Sequence, residues 1–540
     1  MDRVNVLDCT LRDGGYCNQW RFGKKNIEKM INGLVCSNVE IIECGILTDQ
    51  PEHQEDITLF NNVEQTAKYI WHEKDGNMFV CLANYGAYTF ERLPQYDGTS
   101  VDGIRVAFHK KDAAEALKAC EQIKKKGYQV FVQPMVSLNY SDEEFLHMIH
   151  LINRIEPFAF YIVDSFGAMT KKQLQRLFFL TDHNLKPDIY IGFHSHNNMQ
   201  MAYANAQTLQ MIQTERRLII DGSIMGMGRG AGNLNTELFV EYLNQIYGKK
   251  YQIEPLLVII DQILQKFYRE NYWGYSLSNY LSAKYNVHPD YAKYLTDKQT
   301  LNVEDMDHIF LMMKSSEKVV FNSEYIEKLY ISYMGKTDDE TLDKKDYGKD
   351  FYKQEVLLIA PGASSRTEKD KIINYAARHR VISISVNFDY SFCKTDFIFL
   401  SNLRRYEALD EVEKERCIVT SNIPVTQVFA KIKYKDLLNR NEFVRDNAGL
   451  MLIKYMIHSG ARKVVLAGMD GYGKEWAETY LDEEMSFPIK VTGAAKKNEG
   501  MTEILREFSE SIEIEFLTEQ RYIYLGKRSS ILNMKGDTCY

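Results

Sequence analysis

The sequence predicts an α/β protein in which a (β/α)₈ TIM barrel with a helical appendage is followed by a second, Rossmann-like α/β domain. The chain has 540 residues, which exceeds the length at which one hydrophobic core keeps growing. From residue 1 to about 245, short β-branched runs alternate with longer amphipathic stretches, a rhythm typical of βαβ units. A similar rhythm returns after about residue 350.

Eight strand candidates can be identified in the N-terminal part. They are Val4–Thr10, Val39–Ile46, Met78–Asn84, Gly103–His109, Gln129–Val136, Phe158–Asp164, Ile189–His194 and Leu218–Met225. Segments of helical period lie between most of them, namely Lys25–Leu34, Asp112–Lys126, Asp142–Ile155, Lys171–Asp182 and Met199–Thr214. Eight such repeats favour a closed barrel over residues 1–250. A doubly wound open sheet is the alternative, and it would concentrate the chemistry at one crevice.

The strand pattern is lost over residues 251–345, which are predicted to form a helical appendage and a linker. The helix candidates are Pro255–Tyr268, Tyr280–Tyr285 and Asp305–Lys314, and Lys336–Lys353 has the charged, polar composition of a linker. Residues 346–540 are predicted to form the Rossmann-like domain. Its elements are strands Glu355–Ala360, Val381–Asn387, Asp396–Ser401, Cys417–Thr420 and Lys463–Gly468, with helix Asn447–His458.

Composition excludes several functional classes. A net charge of −8 and a pI near 5.9 argue against a nucleic-acid binder, which needs clustered Lys and Arg. No apolar run approaches the length of a membrane span. The nine cysteines contain no Cys-x-x-Cys pair, and the N-terminus runs directly into a strand pattern. A reducing, cytoplasmic location is therefore predicted.

The seventh strand contains two histidines, in Gly192-Phe193-His194-Ser195-His196. Residues two apart in a strand point to the same side, so both imidazoles can face one metal ion. Imidazoles are costly to bury without a ligand or partner. A metal site is therefore favoured at His194 and His196.

Other strand ends in the barrel also have polar or glycine-rich sequences. The first is followed by Arg12-Asp13-Gly14-Gly15, and the eighth by a loop with four glycines in seven residues, Gly226–Gly232. Such a loop lets backbone approach a ligand closely. The second strand contains Glu43, a carboxylate that needs a cationic partner inside an apolar strand. Arg12 is the obvious candidate for that partner.

Together these motifs resemble the HMG-CoA lyase-like (DRE-TIM) superfamily of metal-dependent barrel lyases, which contains 4-hydroxy-2-oxovalerate aldolase, hydroxymethylglutaryl-CoA lyase and isopropylmalate synthase. The 4-hydroxy-2-oxovalerate aldolases are the most similar members. The ordered motifs are Thr10–Gly14, Ile42–Gly45, Val163–Ser165, His194–Asn198 and Gly228–Asn233. The resemblance covers residues 1 to about 300.

The resemblance implies a role for each matching residue. Asp13, His194 and His196 would ligate a divalent metal, with Asn233 as an additional ligand. The mixed donor set favours Mn²⁺, with Mg²⁺, Co²⁺ and Zn²⁺ as alternatives. Arg12 would stabilise an enolate oxygen and Glu43 would hold its guanidinium.

The resemblance also implies a substrate side of the site. Ser165 would lie near the substrate carboxylate, and Gly230 and Gly232 would line the substrate. The implied reaction joins or cleaves a carbon–carbon bond between a 2-oxo acid such as pyruvate and an aldehyde. Relatives are commonly homo-oligomers, which predicts a dimer.

One position departs from the aldolase pattern. A catalytic His follows the Arg-Asp pair by three residues in the aldolases, but that position is Tyr16 here. Tyr16 itself, His109 at the end of the fourth strand, or Tyr275 in the appendage are the candidates for the proton carrier.

Two alternative functions remain open at this stage. One is a Claisen-type acyl-CoA synthase or lyase on the same barrel. The other is a degenerate barrel whose C-terminal domain acts as a transferase. The small-residue loop Pro361–Ser365 and the segments Asp446–Gly449 and Gly468–Gly471 suit a ligand crevice. The domain resembles sialyltransferases and pterin pyrophosphokinases, which implies a nucleotide or sugar nucleotide as its ligand.

Overall fold

The protein is described here from a computed structural model. The described residues are 3–70, 76–298, 300–335, 347–390, 392–425, 427–473, 493–522 and 529–531. The chain divides into two compact units. The first comprises Met1–Lys293 and Ser315–Phe321, and the second Tyr294–Lys314 and Asn322–Tyr540. This division falls inside the segment predicted as the appendage, and the predicted domain boundaries stay predictions.

The first unit is built on a closed parallel barrel. Its strands are β1 (Val4–Asp8), β2 (Ile41–Leu47), β3 (Leu59–Phe60), β4 (Met78–Asn84), β5 (Gly103–Phe108), β6 (Gln129–Pro134), β7 (Ala159–Asp164), β8 (Tyr190–Ser195) and β9 (Leu218–Gly222). All neighbours pair in parallel, and β1 pairs with both β9 and β2, which closes the ring. Strand β3 is a short addition beside β2. The predicted barrel is confirmed, and the open-sheet alternative for this unit is wrong.

Helices surround the barrel and continue beyond it. They are α1 (Thr10–Asp13), α2 (Gly15–Asn18), α3 (Lys24–Cys36), α4 (Ala113–Lys125), α5 (Asp142–Ile155), α6 (Lys171–Asn184), α7 (Ala202–Met211), α8 (Thr236–Tyr247), α9 (Glu254–Ile259), α10 (Gln265–Glu270), α11 (Leu277–Lys284) and α12 (Pro289–Lys298). Capping boxes at Ser141 and Thr170 start α5 and α6 by satisfying their first backbone N–H groups. A π-helical turn, Ile260–Leu264, joins α9 to α10.

The barrel interior has an apolar layer and a charged layer. Leu7, Phe131, Tyr161 and Ile219 belong to one buried cluster, separate from the larger cluster between strands and helices. Side chains alternate along a strand, so residues in register with this cluster also face inward. Arg105 is in register with Phe131. The barrel interior therefore contains charged groups that need partners.

The second unit contains a second parallel sheet. Its strands are β10 (Glu355–Ile359), β11 (Ile382–Val386), β12 (Phe397–Leu400), β13 (Cys417–Thr420), β14 (Ala430–Ile432), β15 (Lys463–Ala467), β16 (Glu513–Phe516) and β17 (Ser529–Ile531). Their order is β14-β13-β12-β11-β10-β15-β16-β17. The strand order reverses direction between β10 and β15, the position at which open α/β sheets form a crevice. The predicted second α/β sheet is confirmed, while the Rossmann-like assignment stays a prediction.

The helices of the second unit are α13 (Val303–Met312), α14 (Ser323–Met334), α15 (Ser364–Thr367), α16 (Lys369–Arg378), α17 (Leu403–Glu407), α18 (Glu411–Lys414), α19 (Tyr434–Leu437), α20 (Ala448–His458) and α21 (Ala494–Phe508). Asn447 caps α20 through its side chain. Most of the predicted linker Lys336–Lys353 lies outside the described residues. Among those described, no helix is both long enough and apolar enough to cross a membrane.

Candidate metal centre

Three buried side chains converge at the carboxyl end of the barrel strands. Asp13 lies on α1, directly after β1, and His194 and His196 lie at the end of β8. Their ligand-type atoms, a carboxylate oxygen and two imidazole nitrogens, all lie within 4.8 Å of one another. Because residues two apart on a strand share a side, β8 presents both rings to Asp13. The structure thus brings together the three residues predicted as metal ligands.

His194 is held by a carboxylate on the neighbouring strand β9. Its Nδ1 lies 3.0 Å from Asp221 Oδ2, which also accepts from Arg105. The Tyr161 hydroxyl donates to Asp221 Oδ1 at 3.0 Å. Burial alone would raise the pKa of Asp221, but Arg105 and His194 keep that pKa below its usual value. A carboxylate behind a histidine fixes the ring tautomer and orientation, which leaves Nε2 for a metal.

Arg12 and Arg105 share the carboxylate of Glu43. Arg12 Nε donates to Glu43 Oε2 at 2.7 Å, and Arg105 Nη1 lies 2.8 Å from the same oxygen. Arg12 Nη1 also donates to Asp13 Oδ1 at 2.5 Å. A buried chain of alternating charge therefore runs from Asp13 to Asp221. Such groups are tolerated in a protein interior only when each has a hydrogen-bonded partner.

The charges of this chain fit a cation. Three carboxylates face two guanidiniums, so with neutral imidazoles the network has one negative charge in excess. Among the described residues, His196 Nδ1 is buried with no hydrogen-bond partner, and it lies 3.8 Å from Asp13 Oδ2. An unpaired buried nitrogen is costly unless it binds a ligand. Two imidazoles and a carboxylate are donors that divalent metals accept.

Electrostatics keep these groups in the forms that bind metals. Burial lowers the pKa of His196 to about 3, although Asp13 opposes this shift. Burial would raise the pKa of Asp13, but Arg12 and the two histidines hold that pKa well below its usual range. Metal ligands must be deprotonated, and both groups meet this condition at neutral pH.

The glycine-rich loop after β9 packs directly against Asp13. A Cβ on Gly228 would lie 2.6 Å from Asp13 Oδ2, and a Cβ on Gly232 would lie 1.9 Å from a backbone carbonyl oxygen across the loop. Gly230 and Gly232 have φ values of +68° and +80°. Glycine adopts this conformation without strain, so the loop can pass close to the candidate ligands.

Asn233, at the end of this loop, lies beside Asp13. Its Nδ2 donates to Asp13 Oδ2 at 2.7 Å, and its Oδ1 is buried without a partner among the described residues. In this orientation the amide holds the carboxylate in place. Ligation by Asn233 would require its oxygen to face the metal instead.

Ser165 and Arg229 form part of the same rim. Ser165 follows β7, and its hydroxyl oxygen accepts from the backbone N–H of Val136 at 2.9 Å. Arg229 Nη2 donates to the Ser165 carbonyl oxygen at 3.3 Å, and Arg229 Nη1 lies 3.3 Å from His288 Nε2. This rim therefore carries a positive charge from the glycine-rich loop.

The three predicted proton carriers have different surroundings. The Tyr16 ring lies 5.6 Å from the Arg229 guanidinium, and its side chain is 44% exposed. His109 follows β5, and burial lowers its pKa. Its Nδ1 is buried without a partner among the described residues. Tyr275, at 56% exposed, is the most exposed of the three.

Sequence reasoning missed several residues of this site. Arg105 and Asp221 are charged residues inside apolar strands, the same signal that singled out Glu43. His288 lies in the loop between α11 and α12 and reaches Arg229. Nothing in the local pattern around His288 distinguishes it from an ordinary loop histidine.

Residues 3–253 match the family model described as HMGL-like. The N-terminal domain is HMGL-like. This domain is similar to the 4-hydroxy-2-oxovalerate aldolase of Geobacillus genomosp. 3, at 28% identity over 249 residues, 45% of this chain and 71% of the relative. It is also similar to the 4-hydroxy-2-oxovalerate aldolase of Shewanella pealeana, at 27% identity over 253 residues, which are 45% of this chain and 71% of that relative.

A solved structure is also similar to the HMGL-like domain, namely the N-terminal domain of an aldolase candidate from Bacteroides vulgatus. It has 27% identity and a TM-score of 0.49, and covers 56% of this chain and 99% of that one. The predicted superfamily and the prediction of a carbon–carbon lyase are confirmed for the N-terminal half by the family model and the aldolase relatives.

Proposed function

We propose that the HMGL-like barrel is a divalent-metal-dependent aldolase that makes or breaks a carbon–carbon bond between the enolate of a 2-oxo acid such as pyruvate and an aldehyde. One observation carries the proposal: Asp13, His194 and His196 meet within 4.8 Å on the rim where Arg12 is anchored. The names of the aldolase relatives support the same reaction class.

The ligand set supports a metal of the first transition row. Asp13, His194 and His196 would hold it, with Asn233 as a further donor. The mixed oxygen and nitrogen set suits Mn²⁺, with Mg²⁺, Co²⁺ and Zn²⁺ as alternatives. Bound there, the ion would act as a Lewis acid on the ketone of the substrate.

Arg12 would stabilise the enolate oxygen. Its Nη2 is buried without a partner among the described residues, so this donor is available to an oxyanion. Glu43 and Asp13 fix the other two guanidinium nitrogens, which keeps the free N–H oriented before substrate arrives. Preorganised donors of this kind are among the largest contributions to catalysis.

Proton transfer and the remaining contacts complete the proposed site. His109 is the first candidate for the proton carrier, because burial lowers its pKa and leaves a neutral imidazole. Tyr16 and Tyr275 remain the other candidates. Ser165 would contact the substrate carboxylate, and Gly230 and Gly232 would let the loop backbone approach it.

The experiment is metal analysis of the purified full-length protein, combined with pyruvate release from a panel of 4-hydroxy-2-oxo acids. We expect His196→Ala to lose both the metal and pyruvate release. The control is His183→Ala, an exposed histidine on α6. Full pyruvate release by His196→Ala would contradict the proposal. Turnover of acetyl-CoA with a 2-oxo acid, without pyruvate release, would favour the Claisen-type alternative.

A second candidate function concerns the second unit. A cavity of about 530 Å³ follows the carboxyl ends of its strands, and its lining includes Asn387, Asn402, Asn447, Lys496 and Lys497. The lining holds four cationic side chains, among them Lys496 and Lys497, beside the carboxylates of Asp297, Glu442 and Asp446. The size of the cavity and these cations support the predicted nucleotide or sugar-nucleotide site. Nucleoside phosphates should raise the denaturation temperature of the full chain, and Lys497→Gln should abolish this shift. If none of the nucleoside phosphates raised the denaturation temperature, this second candidate function would be contradicted.

Two further predictions concern the whole protein. Among the described residues, Cys9, Cys17, Cys81 and Cys120 are free thiols, which supports the predicted cytoplasmic location. The predicted dimer can be tested by light scattering of the purified chain.

A further inference from the structure

Arg229 is a cation on the barrel rim that has no acidic partner among the described residues. Its guanidinium is partly buried and contacts a backbone carbonyl oxygen of Ser165, the imidazole of His288 and the ring of Tyr16. It forms no ion pair with a carboxylate of a described residue. None of its contacts neutralises its charge. A partly desolvated guanidinium in such surroundings favours an anionic ligand.

Two histidines of this rim are neutral at pH 7, and one of them, His288, contacts Arg229. Burial, followed by the charge of Arg229, lowers the pKa of His288 to about 4. Burial also lowers the pKa of His109, with Lys111 and Arg229 acting in the same direction. A neutral imidazole adds no second positive charge beside Arg229, and His288 Nε2 accepts from the guanidinium.

The acidic groups nearest these imidazoles do not neutralise Arg229. Asp290 Oδ2 lies 3.7 Å from His288 Nδ1, and its side chain is 52% exposed. Asp112, the N-cap residue of α4, raises the pKa of His109 and so opposes the effect of burial. Both carboxylates stand beside the histidines, and neither lies within ion-pair distance of Arg229 among the described contacts. The region around Arg229 therefore stays positive.

Arg229 lies close to the candidate metal ligands but is separate from them. It follows Gly228, at which a Cβ would lie 2.6 Å from Asp13 Oδ2. The proposed function assigns the 2-oxo acid end of the substrate to the metal, Arg12 and the Ser165 hydroxyl. An anionic group that reaches Arg229 therefore belongs to the other end of the substrate, which is the aldehyde portion in an aldol reaction.

We propose that Arg229 recognises a second anionic group, a carboxylate or a phosphate, on the aldehyde portion of the substrate, and that the enzyme selects anionic aldehydes over neutral ones. This inference rests on the proposed aldolase function and specifies its substrate class. His288 would hold the guanidinium in place by accepting from Arg229 at Nε2.

The experiment compares kcat/KM for pyruvate condensation with matched aldehydes. The pairs are succinic semialdehyde with butanal, and glyceraldehyde 3-phosphate with glyceraldehyde; the two pairs separate a carboxylate from a phosphate. We expect the wild type to prefer one anionic member by about 10- to 100-fold, the value of a charge-assisted contact. Arg229→Gln should reduce this ratio at least tenfold, while Arg229→Lys should retain part of it. The control is Arg154→Gln, an exposed arginine on α5.

Failure of this inference can be distinguished from failure of the proposed function. Exchange of the C3 protons of pyruvate into D₂O needs no aldehyde, and it reports the enolisation chemistry alone. Absence of exchange in the metal-loaded wild type would contradict the aldolase proposal. Exchange with no preference for anionic aldehydes, or a preference that Arg229→Gln and Arg229→Lys both keep, would overturn this inference only.

Discussion

Replacing Asp221 by Asn would separate the two tasks of this carboxylate. Asp221 Oδ2 faces His194 Nδ1 at 3.0 Å and also accepts from Arg105. Asn keeps the shape of the side chain but removes its charge. His194 would then lose the anion that fixes its tautomer and raises the basicity of its other nitrogen.

The expected magnitude follows from these contacts. Loss of a carboxylate behind a metal-binding histidine weakens metal affinity by about 10- to 100-fold, or roughly 1.4 to 2.7 kcal/mol. Breaking a buried ion pair costs about 3 to 5 kcal/mol of stability. We expect the lower end of that range for Asp221→Asn, because Arg105 would still form its ion pair with Glu43, at 2.8 Å.

The assay is Mn²⁺ titration calorimetry on protein stripped with a chelator, together with thermal denaturation with and without Mn²⁺. Weaker binding should also shrink the increase in denaturation temperature that Mn²⁺ causes. Asp182→Asn is the control. Asp182 forms an ion pair with Arg216, with 2.9 Å between Oδ1 and Nε, and this pair lies outside the candidate metal centre. If Asp221→Asn lost stability but bound Mn²⁺ as tightly as the wild type, Asp221 would be only a partner of Arg105, and our account of His194 would be refuted.

Three further predictions concern the same barrel. Arg12→Ala should reduce turnover of the metal-loaded enzyme by about a hundredfold or more, roughly 3 kcal/mol, whereas exposed Arg21→Ala should not; equal turnover in both variants would contradict the role of Arg12. Gly248→Ala, with φ of +82° and open space around its Cβ, should cost about 1 to 3 kcal/mol of stability through φ alone. Gly232→Ala should cost more than this and weaken metal binding, because its Cβ would also meet a carbonyl oxygen at 1.9 Å. Similar losses in the two glycine variants would contradict the importance of the close approach. Burial raises the pKa of Asp8 from 3.8 to about 6. Between these two pH values the folded state keeps a proton that the unfolded state has lost, so the free energy of unfolding falls as the pH rises. The free energy of unfolding, measured by urea denaturation, should fall by about 1 kcal/mol less between pH 5.0 and 7.5 in Asp8→Asn than in the wild type. An equal fall in both proteins would contradict the raised pKa of Asp8.

The barrel was predictable because its strands combine apolar runs with regular spacing. Observed β4 coincides with the predicted Met78–Asn84, and the other predicted strands differ by one to three residues at their ends. Their closure into a ring could only be inferred from the number of repeats. Pairing of β1 with both β2 and β9 is a long-range property that no local pattern encodes.

The candidate site was predictable where a local rule applied. His194 and His196 follow from strand period, and Glu43 from the cost of a buried carboxylate. The same rule applied to β5 and β9 would have identified Arg105 and Asp221. His288 could not be found in this way, because its approach to Arg229 depends on how the segment after α11 folds over the barrel.

The spacing of the two histidines on β8 makes the centre sensitive to changes in chain length. Inserting one residue before His194 would turn both imidazoles from the barrel interior towards the surrounding helices, and Asp13 would lose both neighbours together. Inserting two residues would restore their direction but move them along the axis by about 7 Å. Natural and engineered variants of this protein should therefore accept length changes in the loops around β8 far more readily than within the strand itself.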